Sequence, residues 1–237
     1  MPDHALLHPH VHGDLRIRTD RGSELGDAVM TCLVMPDEFR RVQHEYPILF
    51  RQTPERDGFA ALALFGFESG ENLYLENGRW NARYLPLAMD IQPFLIGGKA
   101  GESGAKQVVV DLGSPRIADG EGVRLFDGEG RPSPFLEAVT EKLGALDMGF
   151  QASAGFFKAL ERHDLLEPFA FDVTLEDGSS NRLVGFHVID EERLRSLDFA
   201  ALGELQRDGH LLPIFMAVAS LGQLSGLVAR KNKRLHG

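Results

Sequence analysis

A single cysteine, Cys32, in 237 residues leaves no partner for a disulfide within the chain. It sits in the apolar run from Val29 to Met35, with no cationic neighbour to draw its thiol toward thiolate, so a small buried hydrophobe is the expected role. The stretch from Met1 to Asp20 lacks the apolar segment of a secretory signal and is dotted with His, Asp and Arg. Both features point to the cytoplasm. Basic residues are in deficit, 25 against 35 acidic, for a formal charge of -10. That excludes a general nucleic-acid surface, which needs a basic face to displace counterions from phosphates. There is no Gly-Lys-Ser/Thr phosphate loop, no Gly-x-Ser-x-Gly nucleophile elbow, no evident Cys–His pair and no internal repeat.

Only one long uncharged run exists, from Leu211 to Ala229, close to a membrane span in length. Pro213, Ser220, Gln223 and Ser225 interrupt it, which favours a mostly buried helix starting near Pro213 over insertion. Gly222 and Gly226, four apart, are then expected where a neighbouring element packs closely. The basic cluster Arg230, Lys231, Lys233 and Arg234 follows. A solvated tail at a helix end is the plain reading, and a phosphate or lipid patch the alternative.

What is present is ordinary globular material, 43% hydrophobic with 16 Phe, enough for one core without staples. A single domain over 1–237 is expected, with a candidate sub-boundary near 119–133. Leu15 and Ile17 alternate with arginines as in a half-exposed strand. Ala28 to Met35 reads as a buried strand, and Pro36 opens a short helix with Asp37 and Glu38 in its first turn. That helix must stop before Pro47. Ile48 to Arg51 and Phe59 to Phe67 read as paired strands. Asn77-Gly78 is a strong hairpin signal, with Arg79 to Tyr84 returning. Gly97 to Gly104 reads as a loop and Gln107 to Leu112 as a strand. The carboxylates Asp119, Glu121, Asp127 and Glu129 lack the order of a calcium loop, so a solvated turn is expected.

The second half turns helical. Ser133 caps a helix that continues to Leu166 with a break near Gly149, and Pro168 ends it. Asp177-Gly178 joins two alternating strands, Phe169 to Leu175 and Arg182 to Val188. Asp190 caps a helix bearing Leu194, Leu197, Leu202 and Leu205, and a last helix follows. The whole is α+β: a mainly antiparallel sheet in the N-terminal half, then helices and one more hairpin.

Ordered motifs run along this frame, beginning with His12-Gly13-Asp14-Leu15, Glu38-Phe39-Arg40 and Glu45-Tyr46-Pro47-Ile48-Leu49-Phe50. Leu64-Phe65-Gly66-Phe67, Gly70-Glu71-Asn72-Leu73-Tyr74, Gly78-Arg79-Trp80-Asn81 and Tyr84-Leu85-Pro86 follow. Arg124-Leu125-Phe126-Asp127, Leu165-Leu166-Glu167-Pro168 and Ser220-Leu221-Gly222-Gln223-Leu224 complete the series. In this order they resemble the SapC family of bacterial surface-layer-associated proteins. One departure is Met89-Asp90-Ile91-Gln92-Pro93-Phe94, where the family tends to carry Arg-Arg-Tyr-Pro-Phe; only the Pro-Phe end survives. The resemblance implies no established activity. It implies an accessory role beside flavin-dependent halogenases or hydroxylases in peptide modification, in a surface-layer or nutrient-uptake setting.

The densest functional cluster on the sequence is Glu71, Asn72, Arg79, Trp80 and Tyr84 around the Asn77-Gly78 hairpin. Trp, Tyr and Arg are the residue types that anchor binding surfaces, although Trp80 and Tyr84 could equally fill a core. Glu38, His44, Glu45 and Tyr46 form a second group, in which a general base is conceivable. The leading expectation is an accessory protein that binds a peptide, protein or glycan partner, without catalysis and with no cofactor. The partner is not nucleic acid or membrane, and self-association stays open.

An alternative is a metal-dependent oxygenase or hydrolase. His8, His10 and His12 would share a face on a strand, and His12 and Asp14, with His187 or His210, could form a two-His, one-carboxylate iron site. A third reading is a structural protein tethered through Leu211 to Ala229.

Overall fold

The computed structural model describes residues 3–100, 105–118 and 120–236. They form an α+β fold of antiparallel sheets and helices. Two compact units interleave along the chain. The first comprises Met1–Ala28, Leu75–Trp80 and Leu87–Met148; the second comprises Val29–Tyr74, Asn81–Pro86 and Gly149–Gly237.

In the first unit, strand Ala105–Asp111 lies between His4–Leu6 and Phe94–Ala100, while Arg16–Ile17 lies between Ile117–Ala118 and Val123–Arg124. Strand Phe94–Ala100 thus runs through the expected loop at Gly97; residues 101–104, the rest of that loop, lie outside the described residues. The core gathers Ile17, Phe94, Val110 and Leu125 against Leu136, Val139 and Leu143 of helix Pro134–Arg162. At the turn below it, Asp127 accepts hydrogen bonds from the backbone N–H groups of Glu129 and Arg131 and from Arg131 Nε. Its carboxyl is held below the usual range first by the Arg131 side chain. This matches the solvated turn expected there; Asp119 lies outside the described residues. Asn77 and Gly78, at φ of 51° and 70°, close a tight hairpin pairing Leu75 with Trp80 and Glu76 with Arg79. The returning strand is only two residues long, shorter than Arg79 to Tyr84.

In the second unit, five antiparallel strands run in the order Leu166–Thr174, Ser180–Ile189, Ile48–Gln52, Phe59–Leu64, Thr31–Leu33. Cys32 is buried on the last of them, as expected for a small hydrophobe. Phe39, Phe50 and Phe156 pack edgewise or tilted with centroids 5.9–6.5 Å apart. Such contacts add about 0.5–1.5 kcal/mol per pair beyond simple burial. Pro36 opens a short 3-10 turn, Pro36–Glu38, leading directly into helix Phe39–Val42.

Four helical expectations need correction. Helix Pro134–Arg162 has no break at Gly149. A Cβ there would come within 3.1 Å of Met35, a tight contact, so the glycine gives close packing at a helix-propensity cost of about 1 kcal/mol. The helix ends at Arg162 rather than before Pro168: Asp164 takes φ 51° and Leu165 N–H bonds back to Leu160 O. Pro168 falls on an edge strand, where a missing N–H is tolerated. The helix after Asp190 is two helices, Glu191–Arg195 and Phe199–Arg207, because Asp198 caps a second start through Ala201 N–H.

The C-terminal run likewise divides, into Leu211–Ser220 and Gln223–His236. Among the described residues nothing packs within 4 Å of a Cβ placed on Gly226, so the close approach expected at that glycine is not seen there. Only a third of the apolar window is buried, less than a mostly buried helix requires.

Candidate functional site

Sequence and fold bring all three tyrosines of the chain, Tyr46, Tyr74 and Tyr84, together in the second unit. Tyr46 follows the turn after helix Phe39–Val42, immediately before Pro47, and is buried. Tyr46 and Tyr74 are fully buried with ring centroids 4.6 Å apart, and Phe65 packs edgewise on both. The Tyr74 hydroxyl donates to Glu45 O at 2.6 Å. Burial drives its ionisation well above the usual phenol range, so it acts only as a neutral hydrogen-bonding group. The Tyr46 hydroxyl donates to the carbonyl of Tyr84. The Tyr84 hydroxyl in turn donates to Glu38 Oε1 at 2.6 Å, while Glu38 Oε2 accepts the Met35 N–H at 3.1 Å. Glu38 is 1% exposed, a buried carboxylate spent on fixing the first turn and the Tyr84 ring.

Beside this wall lies a cavity of about 620 Å³, lined by Arg41, His44, Glu45, Arg83 and Tyr84. The Arg41 guanidinium sits 4.6 Å over the Tyr84 ring. Glu45 accepts the Arg83 backbone N–H at 3.3 Å.

On the other side of the tyrosines the C-terminal helix is locked down. Arg230 stacks 4.3 Å over Tyr74 and donates to Asn81 O. Lys231 pairs with Glu71 at 2.5 Å and Glu68 at 3.0 Å. Arg234 donates to Asn72 O, and the Asn72 side chain accepts the Tyr74 N–H at 3.0 Å. Glu71 also accepts the Phe67 N–H at 2.9 Å. Thus Arg230, Lys231 and Arg234 form an intramolecular clasp, replacing the solvated tail expected from sequence. One helix earlier, Ser220 Oγ accepts the Ile48 N–H at 2.8 Å, which joins two of the quoted motifs.

The residues singled out in sequence therefore separate. Glu38, Tyr46 and Tyr84 make one hydrogen-bonded chain; Glu71 and Asn72 hold the C-terminal helix. Arg79, exposed, and Trp80, half-buried, belong to the hairpin of the first unit. His8, His10 and His12 are not on a strand: helix Pro9–His12 holds the last two, with His8 as its N-cap. His12 is buried with Nδ1 accepting the His8 N–H at 3.0 Å, and Asp14 is exposed. Among the described residues no three of His, Cys, Asp and Glu gather as a metal cluster, and His187 and His210 lie in the second unit. Sequence reasoning missed Arg41 and Arg83, because an exposed arginine on a short helix or loop reads as solvated surface. Only the tertiary meeting of Tyr84 with the Pro36–Val42 segment reveals them.

The SapC family model matches residues 7–227. No curated protein matches the chain, and no solved structure does. With the match spanning nearly the whole sequence, the chain belongs to the SapC family.

Proposed function

We propose that this chain is an accessory protein that binds a peptide or protein partner, and that the partner docks at the cavity beside Tyr84. The observation that carries the reading is the fixed wall of that cavity. Buried Glu38 and Tyr46 are joined to half-buried Tyr84 by directional hydrogen bonds, which hold the Tyr84 ring in place. Rigid aromatic and arginine groups lose little conformational freedom on binding, which is why they anchor interfaces. A setting of peptide modification or surface assembly fits the family. The hairpin bearing Arg79 and Trp80 is the competing face.

The test expresses the tagged chain in the bacterium that encodes it and follows a stoichiometric partner through size exclusion. Tyr84→Ala and His44→Ala should each abolish co-elution while the circular dichroism spectrum stays native. Loss with Arg79→Ala and Trp80→Ala, but not with the cavity variants, would move the docking face to the hairpin.

A further inference from the structure

We infer that the Tyr84 cavity takes an oxyanion, a carboxylate or phosphate group carried by the partner; this rests on reading the cavity as the docking face. Arg41 and Arg83 both line it. Several arginines of the chain pair with carboxylates, Arg21 and Arg116 with Asp27, Arg131 with Asp127 and Arg195 with Glu191, and others are spent on backbone carbonyls, such as Arg193 on His163 O. Among the described residues, neither the Arg41 nor the Arg83 guanidinium has a carboxylate partner. The cavity holds one carboxylate of its own, Glu45, and one of its oxygens already accepts the Arg83 backbone N–H. Two guanidiniums against one carboxylate leave the cavity positive, within a chain of formal charge -10. Such a contrast focuses an anion onto the site.

Geometry adds to charge. The Arg41 guanidinium carbon lies 4.6 Å over the Tyr84 ring, and that ring is held by Glu38. That cation–π contact restrains a group whose planar N–H fork is suited to grip carboxylate and phosphate bidentately. A cavity of about 620 Å³ exceeds what one such group fills, leaving space for the segment that bears it.

The experiment labels arginine side chains with ¹⁵N in the full chain and titrates it with pyrophosphate and, separately, citrate. Nε–H signals are assigned with Arg41→Gln and Arg83→Gln. The expected result is saturable movement of the Arg41 and Arg83 signals, weakened about tenfold or more in either variant, since charge-assisted hydrogen bonds are lost. Tighter pyrophosphate than citrate binding identifies a phosphorylated partner group, and the reverse a carboxylate.

Stationary Arg41 and Arg83 signals up to roughly 10 mM probe, or movement confined to Arg230 and Arg234, would overturn the inference. Its failure is separable from that of the docking reading. If partner co-elution survives Arg41→Gln and Arg83→Gln yet is lost with Tyr84→Ala, the cavity docks the partner without an oxyanion. If both arginine signals saturate but co-elution ignores Tyr84→Ala, the oxyanion site stands and the partner docks elsewhere.

Discussion

Asp27 has no solvent exposure, yet three donors converge on it: Arg116 Nη2 at 2.6 Å, Arg21 Nη1 at 3.3 Å and the Gly22 N–H at 2.9 Å. Arg116 is itself 1% exposed, and its second terminal nitrogen, Nη1, donates to the carbonyls of Arg18 and Asp20. Desolvation lowers the pKa of Arg21, with Arg116 pushing the same way and Asp27 and Asp90 opposing. A buried ion pair adds little net stability against a hydrophobic replacement, but breaking one strands a charge. Asp27→Ala should therefore cost about 3–5 kcal/mol, read as a lower urea midpoint with an unchanged m-value. If Asp27→Ala costs less than about 1 kcal/mol, water reaches Arg116 and the residue is not the hub its burial indicates.

None of this was legible in sequence, because Asp27 and Arg116 lie 89 positions apart and periodicity reports only neighbours. The same holds for Arg41 and Arg83. Glu38, Tyr46 and Tyr84 were legible as candidates because they fall inside motifs, but their bonding to one another was not.

Elements with a local code were read well, and those defined by distant packing were not. The Asn77-Gly78 and Asp177-Gly178 hairpins follow from residues that take positive φ at small cost, and the Pro36 helix start from proline's fixed φ. The close approach of Met35 to Gly149 and the docking of Gln223–His236 on residues more than 140 positions earlier are tertiary contacts; neither leaves a trace in a window of ten residues.

That docking has a pH signature. Glu68 lies below its ordinary 4.5, held first by the Asn181 hydrogen bond and then by Lys231. A depressed carboxylate contributes above its unfolded pKa and loses that contribution as pH falls through its folded value. For Lys231, burial opposes the charge, but hydrogen bonds to Glu71 and Glu68 outweigh it and raise the pKa above 10.5. Its contribution is present below 10.5 and lost as pH rises through the folded value. The clasp should thus hold across neutral pH and loosen below about 4.5 and above about 10.5. Carboxyl ¹³C titration of Lys231→Met should find Glu68 moved back toward 4.5, with the remaining depression due to Asn181. An unmoved Glu68 would show that Lys231 is not bound to it in solution.

At the scale of the whole molecule the question is what the apolar C-terminal stretch faces. The segment Leu211–His236 holds an 18-residue window of mean hydropathy 1.8, long and apolar enough to cross a membrane by length and composition. Its other commitments argue for water. Ile214, Met216, Ala217, Leu224 and Leu227 are buried, Ser220 is spent on Ile48, and Arg230, Lys231 and Arg234 are clasped by the segment from Glu68 to Asn81. Insertion would break each of these contacts, and a chain of formal charge -10 is repelled by an anionic surface. Sedimented with vesicles of phosphatidylcholine, alone or mixed with phosphatidylglycerol, the chain should therefore stay in the supernatant. Adding Lys231→Glu and Arg234→Glu, which open the clasp, should make the helix easier for thermolysin, which cuts beside apolar residues, to cleave and still not pellet the protein on anionic vesicles. Pelleting that persists in high salt would instead put Leu212 and Phe215, both exposed, into the bilayer and make this helix an anchor.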